Sequence, residues 1–307
     1  MESKAETTFS TPTITPEETA KLEDFKKKVE EVWTASFTQY DSNKEYFTNN
    51  DTLYRFACGH DFKLDVAIEK WKGWVEWYNT YRPDLIREDE ETIKKQAETG
   101  KMFWHCVDKQ GRPILYYRMR YHQKNLGTVD ELIRFFVYTI EKGCKIADEN
   151  GSRRIVVIYD RTGFNKKNYD ESSMNSMKKV VPILQDYYPE RLQAFFVIGA
   201  NWFYRMMYDV VKTFVSNKTI KKVVTVGDMK ELLTYISKEN LSVEYGGMSD
   251  PQQVGSKTKL KILSLSKNYG DDVVQSDSED ERQMKKIADK MFSEAGIKKP
   301  DYDNIYQ

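Results

Sequence analysis

The sequence is short of almost everything that marks a catalytic or membrane-spanning chain. Its 307 residues include three cysteines and three histidines. Cys58, Cys106 and Cys144 are odd in number and far apart, which fits neither a disulfide framework nor a Cys-x-x-Cys metal site. That usage points to a reducing compartment. His60, His105 and His122 show no metal-ligand spacing, and a lone histidine needs a second ligand or an acid partner to mean more than a structural one. No Gly-x-Gly-x-x-Gly follows a strand and no P-loop occurs, so no nucleotide cofactor is implied. Ser172-Ser173 lack a nucleophile-elbow context. No apolar stretch reaches about 18 residues, which excludes a hydropathy-marked membrane helix, and the polar start carries no apolar signal region. Lys+Arg and Asp+Glu are each 48, so there is no bulk field for a nucleic acid. The expectation is a soluble, cytoplasmic chain that is not an enzyme and carries no metal or cofactor.

What is abundant is aromatic side chains, 13 % of the chain, and they come early. Thr15-Pro16-Glu17-Glu18 reads as a helix start, with Thr15 as N-cap, Pro16 at the first helical position and Glu18 three residues on. Leu22, Phe25, Val29, Val32 and Trp33 carry its stripe to about residue 40. Asp51 is read as the cap of a second helix with Leu53, Tyr54, Phe56 and Ala57. Leu64, Ala67, Ile68, Trp71, Trp74, Val75 and Tyr78 stripe a third, stopped by Pro83. Aromatics this dense are expected to need more to pack on than one another.

The pattern then changes. A polar helix is expected from Glu88 to Thr99, closed by Gly100, with acids first and lysines later to match its dipole. Phe103–Val107 and Ile114–Arg118 flank a polar turn and read as an antiparallel hairpin. Helices are expected at Val129–Ala147 and Tyr169–Asp186, and a buried strand at Ile155–Tyr159. Asp160-Arg161-Thr162-Gly163, which superficially resembles a nucleotide-binding Asp-x-x-Gly, has no phosphate cradle and reads as a strand-end turn.

The chain is organised around Tyr187–Gly247. Ala194–Ile198 reads as a strand apolar on both faces, Lys222–Val226 as a second strand, and a helix between them implies a parallel, right-handed crossover. That helix, expected over 202–215 with Asn201 as N-cap, has two greasy sides. Trp202, Phe203, Met206, Val210 and Phe214 lie near one stripe, while Tyr204, Met207, Tyr208, Val211 and Val215 fill much of the rest. A helix on a sheet needs one apolar stripe only. The second stripe faces either more core or something outside.

Tyr187-Tyr188-Pro189-Glu190-Arg191, the following strand, the aromatic helix, Thr219-Ile220-Lys221-Lys222 and Glu244-Tyr245-Gly246-Gly247 stand in one order. In that order they resemble the CRAL-TRIO lipid-binding domain, closest to its phosphatidylinositol transfer proteins, over about residues 45 to 248. The resemblance implies a mixed, mostly parallel α/β sheet flanked by helices and preceded by a small helical unit. Its expected divisions are a disordered 1–14, a helical unit 15–86, a lipid-binding domain 87–248 and a C-terminal extension 249–307. It implies one phospholipid, phosphatidylinositol, bound in an apolar cavity and transferred or presented at membranes by a monomer that touches the surface transiently.

By the same resemblance, Glu190, Arg191, Thr219 and Lys222 hold the head group. Arginine or lysine would take the phosphate, Thr219 would donate to it, and Glu190 would accept from ring hydroxyls. Trp202, Phe203, Met206, Met207, Val210, Val211 and Phe214 would form the gate and the acyl-chain wall. Two departures matter. His60-Asp61 replace an Arg-Lys pair, and Ile155 and Val157 replace hydroxyl-bearing residues, which disfavours phosphatidylcholine as a second ligand. Three other readings stay open: a sterol or other lipid as cargo, a protein-interaction module, and a hydrolase, which would need a Ser/His/acid cluster at strand ends. Beyond Gly247, Lys257–Leu265 reads as an edge strand, Ser276–Glu281 as a solvated acidic run, and Arg282–Ala295 as a short helix with Met284, Ile287, Ala288 and Met291 on one side.

Overall fold

A computed structural model describes residues 14–169, 171–251 and 278–297. The expected disorder of 1–14 (Ile14 apart), the edge strand at 257–265 and the first residues of the acidic run lie outside the described residues. The chain divides into two compact units, Met1–Arg82 with Asp186–Gln193, and Pro83–Gln185 with Ala194–Gln307.

In the first unit, α1 (Pro16–Ser36) starts at a capping box: Thr15 accepts from the Glu18 amide while Glu18 accepts from the Thr15 amide. Then come α2 (Lys44–Thr48), α3 (Asn50–Gly59) and α4 (Leu64–Tyr81), the last closed by Arg82 in the left-handed conformation. The cap of α3 is Asn49, whose side chain accepts from the Thr52 amide at 2.9 Å. Asp51, expected in that role, instead sits within the first turn, where an acid favours the helix dipole. The aromatics largely pack on one another, against expectation. Trp33, Phe47, Trp71 and Trp74 are at most 2 % exposed, with ring centroids 5.0–6.3 Å apart. Two of these indoles find an oxygen: Trp33 donates to Asp41 and Trp71 to the Phe47 carbonyl.

The returning segment 186–193 completes this unit. Tyr187 stacks on Trp77 at 4.4 Å, and Lys70 pairs with Asp186. Pro189 lies so close to Gly59 that a methyl group there would meet Pro189 Cβ at 2.8 Å.

The second unit is a five-stranded sheet in the order β1 (Met102–Val107), β2 (Pro113–Arg118), β3 (Ile155–Asp160), β4 (Leu192–Ile198, its first two residues counted in the first unit) and β5 (Val223–Thr225). β1 and β2 are antiparallel, β2 and β3 parallel, β4 and β5 parallel. This is the mixed α/β architecture expected. The helices of this unit are α5 (Glu91–Ala97), α6 (Val129–Glu149), α7 (Glu171–Tyr187), α8 (Trp202–Val211), α9 (Asn217–Ile220) and α10 (Ser278–Ala295). No described helix is long and apolar enough to cross a membrane.

Two helices are shorter than the pattern suggested, for local reasons. α5 starts at Glu91, because Glu88 and Glu90 are drawn to α6, where Lys142 and Arg134 pair with them. α8 ends at Val211 because the α7 residue Gln185 takes hold of the following backbone. Its amide donates to the Phe214 carbonyl and its oxygen accepts from the Ser216 amide at 2.6 Å. Phe214 and Val215 therefore lie beyond the helix.

Candidate functional site

α8 begins at the predicted cap, with Asn201 accepting from the Tyr204 amide at 3.0 Å. Its two apolar sides have different partners. Phe203, Met206 and Val210, each at most 3 % exposed, pack on Met284, Ala288, Met291 and Phe292 of α10. The stripe of Phe203, Met206 and Val210 is thus covered by the chain's own last described helix. Beside this contact a groove of about 670 Å³ is lined by Tyr169, Lys178, Val210, Phe214, Ile287 and Met291, among others.

Tyr204, off the α10 contact, and Met207, which also packs at its margin, meet the end of β3. Arg161 follows β3 directly, and its guanidinium lies 5.6 Å from the Tyr204 ring and 4.0 Å from the Met207 sulfur. Because side chains alternate across a strand, Tyr159 and Arg161 share one sheet face. Tyr117 stands opposite Tyr159 in the β2–β3 register. The Tyr117, Tyr159 and Phe195 rings form a row across three neighbouring strands, at 5.1 and 5.5 Å. Interior sheet positions under helices are normally sealed, yet all three keep partial solvent access. At this row the sheet face beside α8 is therefore not fully closed to solvent. Burial holds the Tyr117 and Tyr204 phenols well above their ordinary range, so both remain neutral.

On the opposite sheet face the strand ends are tied by ion pairs. Asp160 accepts from Arg120 at 2.8 Å and from the Tyr245 hydroxyl at 3.0 Å. Glu244 pairs with Arg120 and with Arg118. Asp160 also accepts from the Thr162 amide at 2.8 Å, which gives the expected strand-end turn. The Tyr-Gly-Gly sequence now has a physical basis. Gly246 takes φ +83°, and a methyl on Gly247 would lie 1.9 Å from the Leu241 carbonyl oxygen.

The expected head-group residues fall in both units. In the first, Arg191 is 6 % exposed and Glu190 sits at φ +56°. In the second, Thr219 lies in α9 with its hydroxyl 3.0 Å from that of Ser216, and Lys222 precedes β5, its carbonyl accepting from the Phe195 amide. Of the expected gate residues, Phe203, Met206 and Val210 are buried against α10, Trp202, Met207 and Phe214 pack on the same cluster while partly exposed, and Val211 is partly exposed. Ile155 and Val157 are buried on the sheet face that bears Tyr159.

One histidine does meet a serine. His105 Nε2 lies 2.8 Å from Ser249 Oγ at a bulge in β1, where Cys106 adopts φ +55°. At 1 % exposure His105 offers a substrate no approach, and burial pushes the Cys106 thiol up, away from the reactive thiolate.

Sequence reasoning missed Arg161, Tyr159 and Tyr117. The spacing of two between Tyr159 and Arg161, at the end of a strand assigned as buried, was the available signal. It also missed that α10 has α8 as its partner.

Residues 97–247 match the family profile described as the CRAL/TRIO domain. Among curated proteins, the chain is 29 % identical over 217 residues to the phosphatidylinositol/phosphatidylcholine transfer protein SFH11 of Arabidopsis thaliana, covering 65 % of this chain and 57 % of that protein. It is 27 % identical over 234 residues to a CRAL-TRIO domain-containing protein of Saccharomyces cerevisiae, covering 66 % and 71 %. The chain thus spans little more than half of the plant relative. The crystal structure of Sfh5 shares the fold, with a TM-score of 0.63 and 18 % identity over 78 % of this chain and 89 % of that one.

Proposed function

The chain carries a CRAL/TRIO domain, and on that premise we propose that it binds one phospholipid, phosphatidylinositol, and transfers or presents it at membranes. The observation that carries the reading is the unsealed aromatic row Tyr117–Tyr159–Phe195 beside α8. A lipid tail exposed to water costs about 0.8 kcal/mol per methylene, so a carrier needs apolar wall that its own side chains leave unfilled. Those three rings and the Tyr204/Met207 side of α8 offer such a wall. The plant relative, named for phosphatidylinositol and phosphatidylcholine transfer, supports the cargo class. Apolar Ile155 and Val157 favour the inositol lipid of the two, because neither offers a hydroxyl to a choline phosphate.

In this reading α8 is the gate, and its movement lets a lipid exchange without crossing water. Arg191 and Lys222 supply cations for the phosphate, Thr219 a donor and Glu190 an acceptor for ring hydroxyls. The protein acts as a cytoplasmic monomer that docks on a membrane only during exchange. The test is mass spectrometry of lipid that co-purifies with the protein, followed by phosphatidylinositol transfer between vesicles. Inositol phospholipid in the extract, with transfer abolished by Arg191→Ala plus Lys222→Ala, is expected. An extract without inositol lipid, or transfer unchanged by the double variant, rejects the cargo assignment.

A further inference from the structure

Among the described residues, Arg161 stands beside α8 with its hydrogen bonding left incomplete. It is 2 % exposed, and a buried guanidinium ordinarily has a carboxylate or several carbonyls around it. Here Nη1 donates to the Tyr159 hydroxyl at 3.1 Å. Nε and Nη2 are buried and have no hydrogen-bond partner among the described residues. The surroundings are aromatic: the Phe164 ring lies at 4.4 Å and the Phe203 and Tyr204 rings at 5.7 and 5.6 Å. Ring faces attract the cation, but they leave the two N–H donors unsatisfied.

The geometry of the vacant donors is specific. Nε–H and Nη2–H lie on one edge of the planar guanidinium, the edge that meets two oxygens of a carboxylate or phosphate through parallel bonds. The Tyr159 hydroxyl accepts from Nη1, and the Tyr204 ring lies 5.6 Å from the guanidinium carbon. Tyr159 is itself the middle ring of the aromatic row, so an anion on Arg161 would lie next to that apolar row.

We propose that Arg161 receives the acidic group of a bound amphiphile, a carboxylate or a phosphate carried on an apolar chain. This rests on the reading of the domain as a lipid carrier but not on the inositol head group. The anion would complete the guanidinium's hydrogen bonds, and the water-excluded ring cage would strengthen them.

The experiment measures binding of oleate, methyl oleate, 1-oleoyl-lysophosphatidate and oleyl alcohol to the purified, delipidated full chain by calorimetry. Oleate is expected to bind roughly tenfold to a hundredfold tighter than its ester, the factor typical of a charge-assisted hydrogen-bond pair. Arg161→Gln should erase that preference while leaving methyl oleate binding unchanged. Arg161→Lys, which keeps the charge and loses the fork, should retain only part of it. Lysophosphatidate preferred over oleyl alcohol, with oleate no better than its ester, would assign the site to a phosphate source; the reverse would assign it to a carboxylate. Arg161→Met, apolar and of similar reach, serves as a second variant, with circular dichroism reporting its fold. No preference for either acid in the wild type, or a preference that survives Arg161→Gln and Arg161→Met, overturns the proposal. Phosphatidylinositol pickup without acid selectivity fails this inference alone, whereas absence of binding by any amphiphile fails the carrier reading itself.

Discussion

Phe292→Ala in α10 tests how firmly the helix that covers α8 is held. Phe292 is 2 % exposed and shares a cluster with Phe203, Met206 and Val210, each at most 3 % exposed. Truncating a buried phenylalanine in a rigid core costs about 3–5 kcal/mol, from lost transfer energy and the cavity left behind. Among the described residues α10 contributes four buried hydrophobic side chains to this contact, Met284, Ala288, Met291 and Phe292, so its undocking is an accessible alternative to global unfolding. A loss of about 3 kcal/mol then raises the undocked population roughly a hundredfold. The expected outcome is faster amide hydrogen exchange across 202–211 and 284–292, larger than any change in the β3 amides, together with a modest fall in the denaturation midpoint. Lys290→Ala removes only exposed pairs with Glu171 and Glu294, so it is the control, expected to leave α8 exchange unchanged. If Phe292→Ala exchanges like the wild type throughout α8, the packing described here does not hold that helix.

Two further predictions concern packing and pH. Gly143→Ala places a methyl 2.0 Å from the Trp104 ring, which cannot retreat easily because its indole donates to the Thr139 carbonyl at 2.9 Å. A loss of about 3 kcal/mol or more is expected in urea denaturation, whereas Gly73→Ala, with open space around it, should gain up to about 1 kcal/mol; equal effects would refute the contact. Burial holds the His105 imidazole below its ordinary 6.5, so on acidification the unfolded chain takes up that proton first. The stability it contributes is full above about pH 6.5 and drains as pH falls toward the folded-state pKa. His105→Gln should flatten the slope of stability against pH below 6.5, and an unaltered slope would exclude His105 as its source.

Much of the fold was legible because local chemistry and tertiary context agreed. The Thr15 capping box, the Asn201 cap, the 103–118 hairpin and the apolar strands each appear where side-chain period and turn residues placed them. Disagreements arose where a distant partner outbid the local signal. Gln185 ends α8 early, Glu88 and Glu90 leave α5 for α6, and Asn49 takes the cap because its backbone is already extended while that of Asp51 is helical. The candidate site was legible by half. The double apolar character of α8 is plain in the sequence, but which side meets the sheet and which meets α10 depends on a helix more than 65 positions further along. Arg161 looked like one residue of a turn; only burial reveals that two of its nitrogens are stranded. Arg120 and Glu244 in turn pair 124 residues apart, which no short-range pattern encodes.

The helical first unit is not contiguous in the chain, since it ends at Arg82 and resumes at Asp186. A ribosome must therefore release some 190 residues before Trp77 can find Tyr187 and Gly59 can receive Pro189. Until then the nascent helices hold an indole surface with its lid still untranslated, a window in which association with other chains competes with self-completion. Excision of residues 14–82 alone would make that transient state permanent.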